Sequence, residues 1–523
     1  MDILEPIPIV APQNRISTCK EHLKQFGTKT LFLKEADEFI GVVHAKEIHE
    51  AMDKHLGSYP ISIIAQNIDR ISLQASSQTV QQKSSSSTCN ALLVYDGEDL
   101  VGYTNTVSAP AHMSTQSFPT DWISQLGSNV EWLTKMSTLA DELQVRVYLV
   151  GGSVRDMLIG YPPLDLDFIV DGPIFPFVEA LALRFGGHLH REQLFEAAHW
   201  TTKNDIVFDF TRARREHYPA RAALPSTQPG SIEDDLFRRD FTINAMAICI
   251  HRSQWGMLLD RFDGMRSLKT KELKVMHGLS FIDDPTRIVR AARYAARYHF
   301  KLEEGTKRIL LGALSAQAGL DLSKERLGRE LNKLFAEPNP QQAWNKLHEW
   351  GAIGLWLGNI HPDFYTVQQH WEYYHQRGML LTPLSQSLWL CLALSLSDPS
   401  VHESLCKHTK GLQKIWTQGP QDIETAHHSL SNAKDKGDWG MALQKSKPYH
   451  WPLLLLLGHG ESVDWWIHEG QSIRSSIQPT LLLELGCPRG PLLGQALQHA
   501  QRTAWNGGDR NEQKRAAQSL WIN

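Results

Sequence analysis

Two aspartates two residues apart are the side chains best suited to chemistry: Asp165 and Asp167, in Pro163-Leu164-Asp165-Leu166-Asp167-Phe168-Ile169-Val170. Alternate residues of a strand face the same side. On a strand, both carboxylates would point one way and Leu164, Leu166 and Phe168 the other. Carboxylates side by side repel unless a cation lies between them, and Mg²⁺ prefers such oxygens while leaving room for phosphate ligands. A DxD pair alone is common and usually just solvated. This one comes ten residues after the turn Gly151-Gly152-Ser153-Val154-Arg155. Glycines let a backbone approach a ligand closely. A helix N-terminus offers unpaired N–H groups to a phosphate, and Arg155 could add a charge. A plain strand–helix turn is the competing reading. Asp209, in Asp205-Ile206-Val207-Phe208-Asp209-Phe210, is a candidate third carboxylate or else a strand-edge residue.

Two further stretches carry arginines. In Asp234-Asp235-Leu236-Phe237-Arg238-Arg239-Asp240 the arginine pair could meet phosphates, and Asp240 reads equally as the N-cap of a following helix. In Asp283-Asp284-Pro285-Thr286-Arg287, Pro285 suits a helix start. Arg287, Arg290, Arg293 and Arg297 then recur at helical spacing with no acid between them. Such a single-sign stripe is better read as an anion or RNA surface than as a solvated face.

The elements that must position these residues follow from patterning. Trp122–Leu143 has helical apolar spacing, and Val145–Val150 is β-rich. Strands and helices alternate to about residue 250, and from about 285 onward helical periodicity dominates. Residues 217–235, rich in Pro, Ala and Ser, read as a loop. Near the start, Leu31-Phe32-Leu33 leads to an acidic turn and Gly41, and Leu92-Leu93-Val94 to another and Gly102. Each unit predicts strand, turn, strand. Gln81–Ser87 reads as a loop and Thr104–Pro119 as a linker.

The motifs, in this order, resemble the class II tRNA nucleotidyltransferase and bacterial poly(A) polymerase family over residues 140–315. Arg215-Glu216-His217-Tyr218-Pro219, Ser231-Ile232-Glu233-Asp234-Asp235-Leu236 and, near the end, Leu483-Glu484-Leu485-Gly486-Cys487-Pro488-Arg489-Gly490-Pro491 extend the resemblance. The duplicated units resemble a degenerate CBS pair, as in an A-adding-like branch of the family. The implied fold is α+β. A CBS-like pair (1–108) precedes a mixed-sheet catalytic head (120–250), a helical neck with a nucleotide-reading helix (251–345) and an all-α body and tail that bind tRNA (346–523). The implied reaction is template-independent addition of the terminal A, or CCA, to the tRNA 3′ end with release of pyrophosphate.

By resemblance, Asp165 and Asp167 hold two Mg²⁺ ions, with Asp209 as a less certain ligand. Gly151, Gly152, Arg155 and Arg239 hold the nucleotide. Asp284 and Arg287 read the base, supported by Arg290 and Arg293. A carboxylate accepts from the amino group of C or A, and a guanidinium donates to the adjacent ring nitrogen. Asp284 as a helix cap competes with that role. The family usually has Glu where this chain has Asp283, which blurs the choice between C and A. ATP, and on the wider reading CTP, would be the nucleotide partner. An A-only product would require a separate CC-adding enzyme. A CC-adding enzyme, a poly(A) polymerase, a non-catalytic adenylate sensor and a tRNA-binding protein are the alternatives, and homodimerisation is left open.

The bulk numbers agree with a globular enzyme. Of 523 residues, 42% are apolar and 21% charged, and the net charge is −4, so any RNA-binding charge must be local. No apolar run reaches the roughly 20 residues of a membrane span. Six cysteines without CxxC spacing fit a reducing cytoplasm.

Overall fold

The computed structural model describes residues 7–76, 79–80, 83, 91–105, 115–118, 122–127, 129–163, 165–396, 415 and 417–522. The chain forms two compact units: Met1–Leu322 with Lys346–Trp356, and Ser323–Asn345 with Leu357–Asn523.

The first unit opens with a structural duplication. Ile9–Val10 runs parallel to Thr30–Glu35, which pairs antiparallel with Glu38–His44. Asp69–Ser72, Ala91–Asp96 and Asp99–Asn105 repeat that arrangement. The register slips between Leu33 and Lys34 in one copy and between Val94 and Tyr95 in the other, beside Gly41 and Gly102. The two sheets share one core of Phe32, Val42, Ala91, Leu93 and Tyr103. Helices Ile16–Phe26 and Ala45–Asp53 complete the first copy. Gln81–Ser87, apart from Lys83, lies outside the described residues.

Among the described residues the next sheet has eight strands. Their order is His188–Glu192, Ala197–Thr201, Val207–Arg212, Asp167–Asp171, Arg146–Val150, Ala247–Cys249, Met257–Leu259 and Thr115–Ser117. All neighbours are antiparallel except Val207–Arg212 and Asp167–Asp171. The two central strands carry uninterrupted apolar runs, Val147–Val150 and Phe168–Val170, because both faces of the sheet are covered. On one face Phe168, Phe177, Phe208, Phe210, Trp200 and Trp132 form a chain of ring contacts. On the other, Tyr148, Val150, Ile169, Ala245 and Ala247 pack with Ile232 and Leu236.

Two expectations change here. Within the expected linker, Thr115–Ser117 is an edge strand of this sheet, while residues 106–114 and 119 lie outside the described residues. The expected loop at 217–235 is instead ordered by pairing. Arg214–His217 forms a hairpin with Ser226–Pro229, and a Ser231/Asp234 capping box starts helix Ile232–Phe237.

The neck follows as helices Gly264–Thr270, Ser280–Asp283, Thr286–Tyr298 and Glu304–Ser315. Helix Thr286–Tyr298 begins after Pro285, ends at left-handed His299, and buries Ile288, Val289, Ala291, Ala292, Ala295 and Ala296. Trp356 lies so close over Gly319 that a methyl group there would overlap its indole.

In the second unit every regular element among the described residues is helical. Phe335, Trp344, Phe364 and Trp389 form its aromatic centre, with Phe335 and Trp389 4.9 Å apart. Two strongly apolar runs in this helical part form the helices Leu384–Ser395 and Trp451–Leu456. Near the end, Ile477, Leu482, Cys487, Ala496, Ala500 and Ala517 make a smaller core. Among the described residues no helix is long and apolar enough to cross a membrane.

Candidate active site

The strand with the two aspartates begins at Asp167, and Asp165 stands in the bend before it. This differs from the expected all-strand DxD. The Ser153 hydroxyl donates to the Asp165 carbonyl oxygen at 2.8 Å and ties the bend to the glycine turn. Leu164 lies outside the described residues. Asp209 is the register partner of Asp167 on the parallel neighbour strand. Both point away from the Phe168, Phe208 and Phe210 face, and Asp165 is near enough for its charge to act on Asp167. Burial pushes the Asp167 carboxyl above its usual range, the Arg239 guanidinium opposes the rise, and Asp209 and Asp165 add to it. Asp209 is also held by His199, whose Nδ1 lies 2.6 Å from its Oδ1. That hydrogen bond raises the His199 pKa, against a smaller effect of burial. Among the described residues no three His, Cys, Asp or Glu side chains form a ready-made metal cage.

Gly151 and Arg239 explain each other. Gly151 has φ +73, and a methyl group on it would stand 2.6 Å from Arg239 Nη1. Only glycine gives both that backbone conformation and that space. Arg239 is aimed by Asp235, which accepts from its Nη2 at 3.2 Å, and by the Asn244 carbonyl oxygen at 3.4 Å. Asp235 is fully buried and also pairs with Arg238 at 2.8 Å. Arg238 is spent inside the protein, because Glu216 takes its other arm at 3.0 Å.

Beneath this surface runs a buried polar chain. Arg155 donates to Asp156 Oδ1 at 2.8 Å and to Asn244 Oδ1 at 2.7 Å. Its guanidinium lies 5.2 Å from the Tyr294 ring and 4.8 Å from the Tyr298 ring. Asn244 donates to Asp240 Oδ1 at 2.9 Å, and Arg290 meets Asp240 Oδ2 at 2.7 Å. Burial alone would raise the Asp240 carboxyl, but Arg290, Asn244 and Arg287 outweigh it and hold it below its usual range. Arg155, only 4% exposed, thus binds helix Gly152–Leu158 to helix Thr286–Tyr298. Asp240 is not the N-cap of an α-helix. A single 3₁₀ turn, Thr242–Asn244, follows it and leads into a strand.

The arginine stripe runs from buried to exposed. Arg287 donates to Ser280 Oγ at 2.6 Å and to the Arg238 carbonyl oxygen at 3.0 Å, with a longer 3.5 Å contact to the Tyr218 hydroxyl. Arg290 and Arg293 are half-buried and Arg297 is exposed. Asp284 is half-buried, and its Oδ1 accepts from the Thr286 N–H at 3.0 Å and the Thr286 hydroxyl at 2.5 Å. Asp284 thus closes a local turn onto Thr286, while the helix itself begins after Pro285 without a side-chain cap.

Sequence reading missed Glu216, Tyr218, Asp235, Asn244 and His199. The spacing of Asp235 from Arg238 and Arg239, three and four residues, was a usable signal. His199 had none, because it meets Asp209 through strand register.

Residues 147–274 match the Poly A polymerase head domain. The chain is 29% identical over 384 residues to the A-adding tRNA nucleotidyltransferase of Halalkalibacterium halodurans, covering 71% of this chain and 87% of that one. It is 40% identical over 258 residues to the CC-adding tRNA nucleotidyltransferase of Deinococcus radiodurans, covering 49% of this chain and 68% of that one. A solved CCA-adding enzyme without ligand shares the fold, with a TM-score of 0.67, 24% identity, and coverage of 78% of this chain and 98% of the other. With these relatives and this arrangement of carboxylates and arginines, the chain belongs to the class II tRNA nucleotidyltransferase family.

Proposed function

We propose that this enzyme, a tRNA 3′-end nucleotidyltransferase, adds the terminal adenosine. The observation that carries the catalytic reading is the cross-strand pair Asp167 and Asp209, within electrostatic reach of Asp165 and Arg239, with Arg239 lying against Gly151 of the glycine turn. The all-oxygen donor set, crowded enough to raise Asp167, suits hard divalent cations such as two Mg²⁺ ions that complete their coordination with substrate oxygens. Bound there, they would supply Lewis acidity for the RNA 3′-hydroxyl and the pyrophosphate leaving group. The chain's own residues do the rest by position and charge. His199 orients the Asp209 carboxylate. Arg239, held by Asp235, meets phosphate oxygens where glycine leaves the backbone open. Arg155 acts from below, fixing the turn and the reading helix together. Asp284 accepts from the amino group of the base. Arg287 reaches the ring nitrogen by exchanging its long Tyr218 contact, and Arg290 and Arg293 support the nucleotide.

The A-adding assignment draws on the relative that spans most of both chains. The CC-adding assignment is the second reading, favoured by the 40% identical relative. Purified protein with Mg²⁺ and three tRNA transcripts, ending before CCA, after the first C and after CC, decides between them. Extension of only the CC-ended transcript, by one A, supports the proposal and implies a separate CC-adding enzyme. Stopping at CC establishes the second reading, three additions a complete CCA enzyme, and a long A ladder a poly(A) polymerase. No extension refutes the catalytic reading.

A further inference from the structure

The N-terminal duplicated module is built onto the segment that carries Asp284 and Arg287. Residues Ile63 to Asn67 lie against three neck glycines. A methyl group on Gly278 would overlap the Ile64 carbonyl oxygen. One on Gly305 would stand 2.6 Å from Asn67 Oδ1, and one on Gly312 2.6 Å from Ile63 Cβ. Asn67 donates to Glu303, and Arg308 donates to the Ile40 carbonyl oxygen and, at 2.6 Å, to Asn67 Oδ1. At the end of helix Ala45–Asp53, Lys54 Nζ lies 2.7 Å from Asp283 Oδ1, with both side chains about 5% exposed.

That ion pair stands one residue from Asp284. Besides Lys54, the cation whose charge Asp283 feels is Arg287, and Glu50 acts on it with the opposite sign. A buried carboxylate that loses its partner must find another or stay unpaired at high cost. Without Lys54, Asp283 would turn to Arg287 and compete with the nucleobase for its guanidinium. It would also release the backbone that sets Asp284, whose carbonyl accepts the Arg287 N–H at 3.0 Å.

We propose that Lys54, from the N-terminal module, is a positioning residue for nucleotide choice: it holds Asp283 away from Arg287 and so keeps the Asp284–Arg287 edge free to read the base. The inference rests on the catalytic reading above and extends it to a module that carries none of the candidate site residues.

The test is full-length K54M, K54R and K54M/D283N, with kcat and KM for ATP and GTP on CC-ended tRNA and the melting temperature of each. K54M is expected to lose about tenfold in the ATP-over-GTP ratio of kcat/KM, mainly through KM for ATP, because guanine has a carbonyl and an N–H where adenine offers the amine and ring nitrogen that this edge reads. K54R should keep the wild-type ratio. K54M/D283N should recover it, because no stray carboxylate remains. A K54M chain that melts earlier but keeps its ratio overturns the proposal, and so does a double variant as unselective as K54M. Should K54M fail to fold, K54Q, which donates to Asp283 without neutralising it, is expected to show part of the loss, and a wild-type ratio in K54Q overturns the proposal. Absence of addition by the wild type would overturn the catalytic reading and this inference with it.

Discussion

Arg155 separates two accounts of the glycine turn. If it touched the triphosphate, its removal would raise KM for ATP and leave the fold alone. In the structure its guanidinium is enclosed, with Asp156 and Asn244 as acceptors and Tyr294 and Tyr298 on its faces. Burial would lower its pKa, but the two tyrosines and Asp156 outweigh that and hold the charge firmly in place. R155M breaks this buried pair, which costs about 3–5 kcal/mol in general. The Asp156 side chain is 21% exposed and can rehydrate, which points to the lower end of that range. Two lost cation–π contacts add about 0.5–1 kcal/mol each. About 4 kcal/mol is therefore expected, with faster amide exchange in both Gly152–Leu158 and Thr286–Tyr298, the two helices that Arg155 joins. Hydrogen exchange of the full chain gives the local opening energy, and steady-state kinetics give KM. A loss under about 1 kcal/mol together with a tenfold rise in KM would refute the buried-strut account, because a strut of this kind cannot be removed so cheaply.

Other substitutions test other parts of the structure. D167N should abolish nucleotide addition while its melting temperature in chelator stays at or above wild type, since a crowded carboxylate is removed; a clear drop would show that Asp167 holds the fold. Glu47, which accepts from the His44 N–H at 2.8 Å and Gln66 Nε2 at 2.6 Å, is pushed by burial from 4.5 up to about 7. Its folded form keeps a proton that the unfolded chain releases, so its contribution is full below about pH 4.5 and is lost as pH rises through 7. E47Q should flatten the fall in melting temperature between pH 5 and 8 relative to wild type, and an unchanged slope would refute the assignment. G278A forces a methyl group onto the Ile64 carbonyl and should cost about 1–3 kcal/mol in chemical denaturation; a neutral effect would mean the module does not pack there.

The sequence revealed what is local and repeated. Apolar runs marked the central strands, Pro285 marked the start of helix Thr286–Tyr298, and two glycines sixty-odd residues apart marked the duplication. Those signals lie within a few residues of the elements they specify. It did not reveal what depends on register or on distant packing. Asp165 reads as part of a strand because periodicity does not show where pairing begins. The arginine stripe reads as one surface, yet Arg287 and Arg290 are taken up by Ser280, the Arg238 carbonyl and Asp240. Asp283 reads as a departure from family pattern, and its partner Lys54 belongs to another module. A short acid in that position fits a lysine reaching in from outside.

The division of the chain has a consequence for its synthesis. Residues 346–356 belong to the first unit although residues 323–345 belong to the second. Trp356 is buried and closes over Gly319. On the ribosome the contact over Gly319 therefore cannot form when Leu322 appears. At the usual ~5–20 residues per second, it waits roughly 2–7 s more for Trp356. During that interval the surface around Gly319 is uncovered, so a translational pause between residues 323 and 356 would lengthen the exposure of an incomplete core, and a chaperone acting on the nascent chain would find its substrate there.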